Sequence, residues 1–127
     1  MASQKENGMG FEWAVGLELS TQSGAPIMHS AYSRAPQLAF EEKISATRRQ
    51  AFTRAAKVAV EHILEKELIS HSEPFEGEVS FNSDSAGQSG DVRDVLLHAG
   101  NKVIGVSCKS NHEALKHPRL SGTLDFV

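Results

Sequence analysis

Apolar positions along the chain recur with two different periods, and the switch between them predicts its organisation. From Asn7 to Leu19, Phe11, Ala14, Val15, Leu17 and Leu19 alternate with Glu12 and Glu18 in a spacing that predicts a short helix. Thr21 to Ser33, with Gly24 and Pro26, reads as a loop, and Pro36 suits the first turn of a following helix. From about Gln37 to Ser70 the helical period returns. Ile44, Ala51, Phe52, Ala55, Ala56, Ala59, Ile63 and Leu64 fall on one side, and Arg48, Arg49, Arg54, Lys57, Glu61 and Glu65 mostly on the other. This is one long helix or two with a break near Ser45. Its alanines permit close approach to a neighbour, and its charged side reads as a solvated face.

Beyond Pro74 the period shortens to two. Glu76 to Asn82 alternates Val79 and Phe81 with polar neighbours, as a half-buried strand does. Asp84 to Gly90 is a turn-rich connection. Two apolar strands follow, Gly90 to His98 and Val103 to Lys109, joined by Ala99-Gly100-Asn101-Lys102, a hairpin signal. Asn111 to His117 then reads as the start of a short helix that Pro118 stops or kinks.

The expected fold class is therefore α+β, an antiparallel three-stranded meander flanked by helices. The expected divisions are an N-terminal helix and loop over 1–36, a long helix over 37–70, strands within 76–109 and a short helix over 110–120. An apolar segment begins at Leu124-Asp125-Phe126-Val127 and has no continuation, so the reading is a single domain over 1–127 that is the incomplete, N-terminal portion of a longer protein.

At 127 residues the chain is the size of one small domain. No apolar run approaches the ~20 residues that cross a bilayer, and the polar start lacks a secretory apolar segment. A soluble, cytoplasmic protein with no membrane partner is expected. The single cysteine, Cys108, forms no internal disulfide and reads as a small core residue. A formal charge of -3 argues weakly against a non-specific nucleic-acid binder. Its distribution argues the other way, because Lys102, Lys109, Lys116 and Arg119 face one acid, Glu113, within 102–119.

The hairpin carries the candidate chemistry. Alternation puts Asp91, Arg93, Val95 and Leu97 on one face and Val92, Asp94, Leu96 and His98 on the other; in the partner strand Val103, Gly105, Ser107 and Lys109 share a face. A register that brings Asp94 beside Ser107 and Lys109 would join a carboxylate, a hydroxyl and an ammonium, a set suited to a divalent ion and a phosphate. The plainer reading of the same residues is turn chemistry at a strand start and a lysine reaching into solvent.

The runs Gly90-Asp91-Val92-Arg93-Asp94-Val95 and Gly105 to Ser121, with the early Asn7-Gly8-Met9-Gly10-Phe11-Glu12-Trp13-Ala14, resemble the N-terminal half of HaeIII-type type II restriction endonucleases, of the PD-(D/E)xK nuclease class. The resemblance implies a restriction-endonuclease-like core and Mg²⁺-dependent hydrolysis of double-stranded DNA at GGCC. It also implies a bacterial or archaeal enzyme, a homodimer, and a cognate DNA methyltransferase acting on the same site. The strand aspartate corresponds to Asp94, with Asp91 as the competing assignment, and Lys109 corresponds to the lysine of the second half-motif. Ser107 stands where the class usually has an acid. A second metal-binding carboxylate then comes from elsewhere, with Glu12, Asp91, Glu78 and Glu42 as candidates in that order. Asn111, His112, Lys116, His117 and Arg119 are the expected DNA contacts, chiefly to phosphate. Two other readings stand beside this one: a non-catalytic DNA-binding or scaffold fragment of a truncated nuclease, and an unrelated α+β interaction domain.

Overall fold

The computed structural model describes residues 4–67, 77–81, 95–100, 102–109, 114–116 and 123–125. The first helix, α1, spans Gln4–Ser23 and buries Phe11, Ala14, Val15 and Leu19 of the apolar set, while Leu17 is 38% exposed because it falls on the opposite side of the helix. It ends where Gly24, at φ 89°, takes the left-handed conformation that closes a helix, its N–H donating to Ser20 O at 2.9 Å. Ser23 Oγ and Ser20 Oγ donate to Leu19 O and Ala25 O, which satisfies carbonyls around the helix end.

The stretch read as a loop carries more structure than expected. Pro26 O accepts from Val79 N at 2.8 Å and Met28 N donates to Val79 O at 2.7 Å, so Ile27 forms a parallel bridge to Val79. The second helix, α2 (Ala31–Leu38), starts five residues before Pro36. Ser30 outweighs the proline as a start signal. Its Oγ accepts from Tyr32 N at 3.1 Å and Ser33 Oγ accepts from Ser30 N at 2.9 Å, a capping box. A π turn, Ala39–Lys43, follows and closes with Ile44 N donating to Ala39 O at 3.1 Å.

The expected break near Ser45 is present. Ser45 Oγ accepts from Arg48 N at 3.1 Å and caps α3 (Ala46–Lys66). Arg49 stitches the break closed by donating to Phe40 O, Glu41 O and Ile44 O at 3.4, 3.3 and 3.1 Å. Along α3, Phe52, Ala55, Ala56, Ala59, Val60, Ile63 and Leu64 are buried, and the small residues let α3 lie close against α1, with the Phe11 and Phe52 rings 5.2 Å apart.

Five strands form one antiparallel sheet in chain order: β1 (Gly77–Phe81), β2 (Val95–Ala99), β3 (Lys102–Lys109), β4 (Ala114–Lys116) and β5 (Thr123–Asp125). The expected meander is β1 to β3, and it continues through two further short strands. Ala114–Lys116 is therefore strand where a short helix over 110–120 was expected. Ser107, Cys108 and Lys109 would otherwise present an unpaired edge, and pairing with β4 supplies partners that a helix of a turn or two would not. The β2–β3 turn leaves two residues between the Ala99–Lys102 pair, with Gly100 at φ 62°, as tight hairpins require.

Val79, Phe81, Val95, Leu97, Ile104 and Val106 form the inner face of the sheet and join Phe11, Val15, Leu19, Phe52, Val60 and Ile63 in one core. Trp13 stacks on Phe81 at 5.7 Å between ring centroids. Cys108 packs against this core, in agreement with its reading as a small apolar residue. At the end of α3, buried Glu67 receives Lys102: Nζ donates to the backbone O at 3.0 Å and lies 3.6 Å from Oε1. That contact ties the hairpin turn to the helix layer. Among the described residues no helix is long and apolar enough to cross a membrane.

Candidate active site

Pairing in the meander fixes which residues share the outer face of the sheet. Glu78 pairs with His98 and His98 with Val103; Ser80 pairs with Leu96 and Leu96 with Gly105. Directly opposed residues point to the same side. These two rows therefore lie opposite the inner-face rows Val79, Leu97, Ile104 and Phe81, Val95, Val106. Ser80 Oγ and His98 Nε2 are 3.1 Å apart and link β1 to β2 across this face.

The outer face is covered at one end and open at the other. Near the turn Val103 is 41% exposed; farther along, Leu96 falls to 9% and Ser107 to 4%, and Gly105 is buried. A hydroxyl withdrawn this far from water is costly unless it is engaged, which sets Ser107 apart from an ordinary surface serine.

The last described pair of β2 and β3 is Val95 with Val106. Asp94 precedes Val95 in sequence, and Ser107 follows Val106. Asp94 and Asp91 lie outside the described residues, as do Asn111, His112, His117 and Arg119. Lys109 ends β3 and pairs in register with Ala114, and Lys116 of β4 is the register partner of Ser107. That last pairing escaped the sequence reading because 114–116 was read as helix. The Ser80–His98 contact was missed too, since the long β1–β2 connection leaves their register open to several choices.

The other carboxylate candidates separate by position. Glu12 is half-buried on α1, in the layer that packs on the inner face. Glu78 lies two rows toward the hairpin turn, about 13 Å along the strand from the row after Val95 and Val106. Glu42 is exposed on the π turn. Among the described residues no group of three or more His, Cys, Asp or Glu could hold a metal ion.

The sequence profile of the HaeIII restriction endonuclease family matches residues 11–127, which include most of α1, the whole of α2 and α3 and every strand. The chain belongs to the HaeIII restriction endonuclease family. Within it, the chain is similar to "Type II restriction enzyme HaeIII" of Haemophilus aegyptius, at 44% identity over 50 residues. Those residues are 38% of this chain and 16% of that relative. No solved structure matches the chain. For a member of the HaeIII family, the described residues give an α+β frame whose β2–β3 hairpin is pinned at its turn by Lys102 and buried at its far end around Ser107.

Proposed function

We propose that this chain carries the catalytic core of a type II site-specific deoxyribonuclease that hydrolyses phosphodiester bonds of double-stranded DNA, with Mg²⁺ as cofactor and GGCC as its sequence. Family membership over 11–127 is the observation that carries the reading. The hairpin register adds support, because Asp94 adjoins Val95 and Ser107 adjoins Val106 at the last described pair.

In hydrolysis a water oxygen bonds to phosphorus, the phosphorus bond to the departing sugar oxygen breaks, and a proton finishes on that oxygen. Asp94 is the anionic ligand in this proposal, with Glu12 and Asp91 as the candidates for the second carboxylate. Ser107 contributes a neutral oxygen. Such a hard oxygen set fits Mg²⁺, which when bound would supply positive charge against the phosphate and make a water more acidic. Lys109 places an ammonium toward the same phosphate and offsets the charge that builds on it. Asn111, His112, Lys116, His117 and Arg119 hold the DNA backbone beside it. A cytoplasmic homodimer, protected from cutting its own genome by a methyltransferase that modifies the same sequence, completes the proposal.

The test is cleavage of a duplex containing one GGCC, with and without Mg²⁺. Asp94→Ala and Lys109→Ala should each lower the rate by at least roughly 100-fold while duplex binding in EDTA persists. Undiminished cleavage by Asp94→Ala refutes the site. Wild-type binding with no cleavage in Mg²⁺ favours a non-catalytic DNA-binding protein instead.

A further inference from the structure

The charged side of α3 is divided along its length. Between Ala46 and Val60 it carries Arg48, Arg49, Arg54 and Lys57 and no acid; Glu61 and Glu65 are confined to its last turns. The helix dipole favours the reverse arrangement, with acids in the first turn, so helix stability does not account for the pattern.

Two of these cations are used within the fold. Arg49 donates to three carbonyls at the π turn, and the Arg48 guanidinium lies 5.8 Å from the centroid of the Phe52 ring. Arg54 and Lys57 are exposed and form no ion pair with any described residue. Arg54 lines a shallow groove of about 450 Å³ with Ala46, Arg49, Gln50 and Thr53. This spacing follows one side of the helix for two turns, about 12 Å. One strand of a duplex advances about 3.4 Å of axis per phosphate, so the groove matches about three phosphates. Gln50 and Thr53 add the neutral donors that accompany Arg and Lys on phosphate oxygens.

We infer that this groove, with Arg54 in its lining and exposed Lys57 one turn farther along the same helix, is a second DNA-backbone contact, separate from the hairpin. The inference rests on the nuclease reading above. Position agrees with it: α3 is held at its Glu67 end by Lys102, and both the basic half of α3 and the Ser107 end of the hairpin are the ends remote from that junction. A phosphodiester backbone is the occupant because the lining offers cations and hydrogen-bond donors and almost no apolar side chain.

Arg54→Gln/Lys57→Gln tests it, with Lys66→Gln, exposed at the acidic end of the same helix, as control. Binding of a duplex containing GGCC and of an unrelated duplex is measured by fluorescence anisotropy at several salt concentrations in EDTA. Loss of two phosphate contacts should lower the slope of log K against log salt by about 2 and weaken both duplexes equally, roughly 10- to 100-fold at 0.1 M salt. Lys66→Gln should leave both readouts unchanged, and circular dichroism should be the same for all variants. An unchanged slope in the double variant, with wild-type binding intact, overturns the groove alone. A wild-type protein that binds neither duplex overturns the groove and the nuclease reading together.

Discussion

Gly16 sits where α1 meets the sheet, and replacing it with alanine tests how tightly that junction is built. A Cβ there would lie 2.4 Å from Phe81 Cζ and 3.1 and 3.2 Å from the two Cε atoms. An ordinary contact needs at least about 3.4 Å, so helix and ring must separate by about 1 Å. The ring has little room to yield. Phe81 is buried on β1, and Trp13 stacks against it with an interplanar angle of 15°. Forcing a methyl into a packed core costs about 1–3 kcal/mol, while alanine in place of glycine within a helix returns about 1 kcal/mol. The expected net loss for Gly16→Ala is about 0–2 kcal/mol, centred on about 1 kcal/mol, or a melting temperature lower by roughly 3–6 °C at that centre for a domain of this size. Urea unfolding followed by tryptophan fluorescence measures it, Trp13 being the chain's one tryptophan. Shortening the ring relieves the clash, so Gly16→Ala/Phe81→Leu should lose less than the sum of the single variants, by roughly 1 kcal/mol. A Gly16→Ala protein more stable than wild type by about 1 kcal/mol, the full helix gain with no clash, refutes the close approach.

Three other substitutions probe the elements that hold the hairpin and helices in place. Gly100→Ala forces a Cβ into a left-handed turn and should cost about 1–2 kcal/mol in urea unfolding, with Gly100→Asn losing less than half of that. Lys102→Met removes the donor to Glu67 O and should cost about 1 kcal/mol, with faster amide hydrogen exchange concentrated in β2 and β3; uniform acceleration across the chain would contradict a local tether. Ser45→Ala removes the cap of α3 and should cost about 1 kcal/mol, which Ser45→Asp should largely avoid; equal loss in both variants would show that the hydroxyl is not acting as a cap.

The parts of the fold legible in the sequence are those with a repeating pattern or a strong terminator. Phe11, Ala14, Val15 and Leu19 identify the buried side of α1, Ser45 marks the break, and alternation sorts Val95 and Leu97 from Leu96 and His98. The start of α2 was misread because Pro36 is a conspicuous signal and Ser30 a quiet one, yet the serine cap makes the hydrogen bonds. Three residues are too few for β4 to show a period; its conformation comes from the free edge of β3. The Ile27 bridge has the same origin, in backbone groups of Val79 rather than in any side chain. For the site, alternation correctly separates Ser107 from Val106. The register partner of Ser107, Lys116, follows only once β4 is known to be a strand.

The bridge at Ile27 also bears on how two copies could associate. Val79 is the middle residue of β1, and Pro26 and Met28 already occupy its outward N–H and C=O. A strand from a second molecule has no continuous ladder to extend on that side, so sheet-to-sheet annealing through β1 is blocked by the chain itself. Any self-association of this nuclease-family chain must then be built from side chains or from another border of the sheet, and removing the bridge would free the β1 edge to pair with the same edge of a second copy.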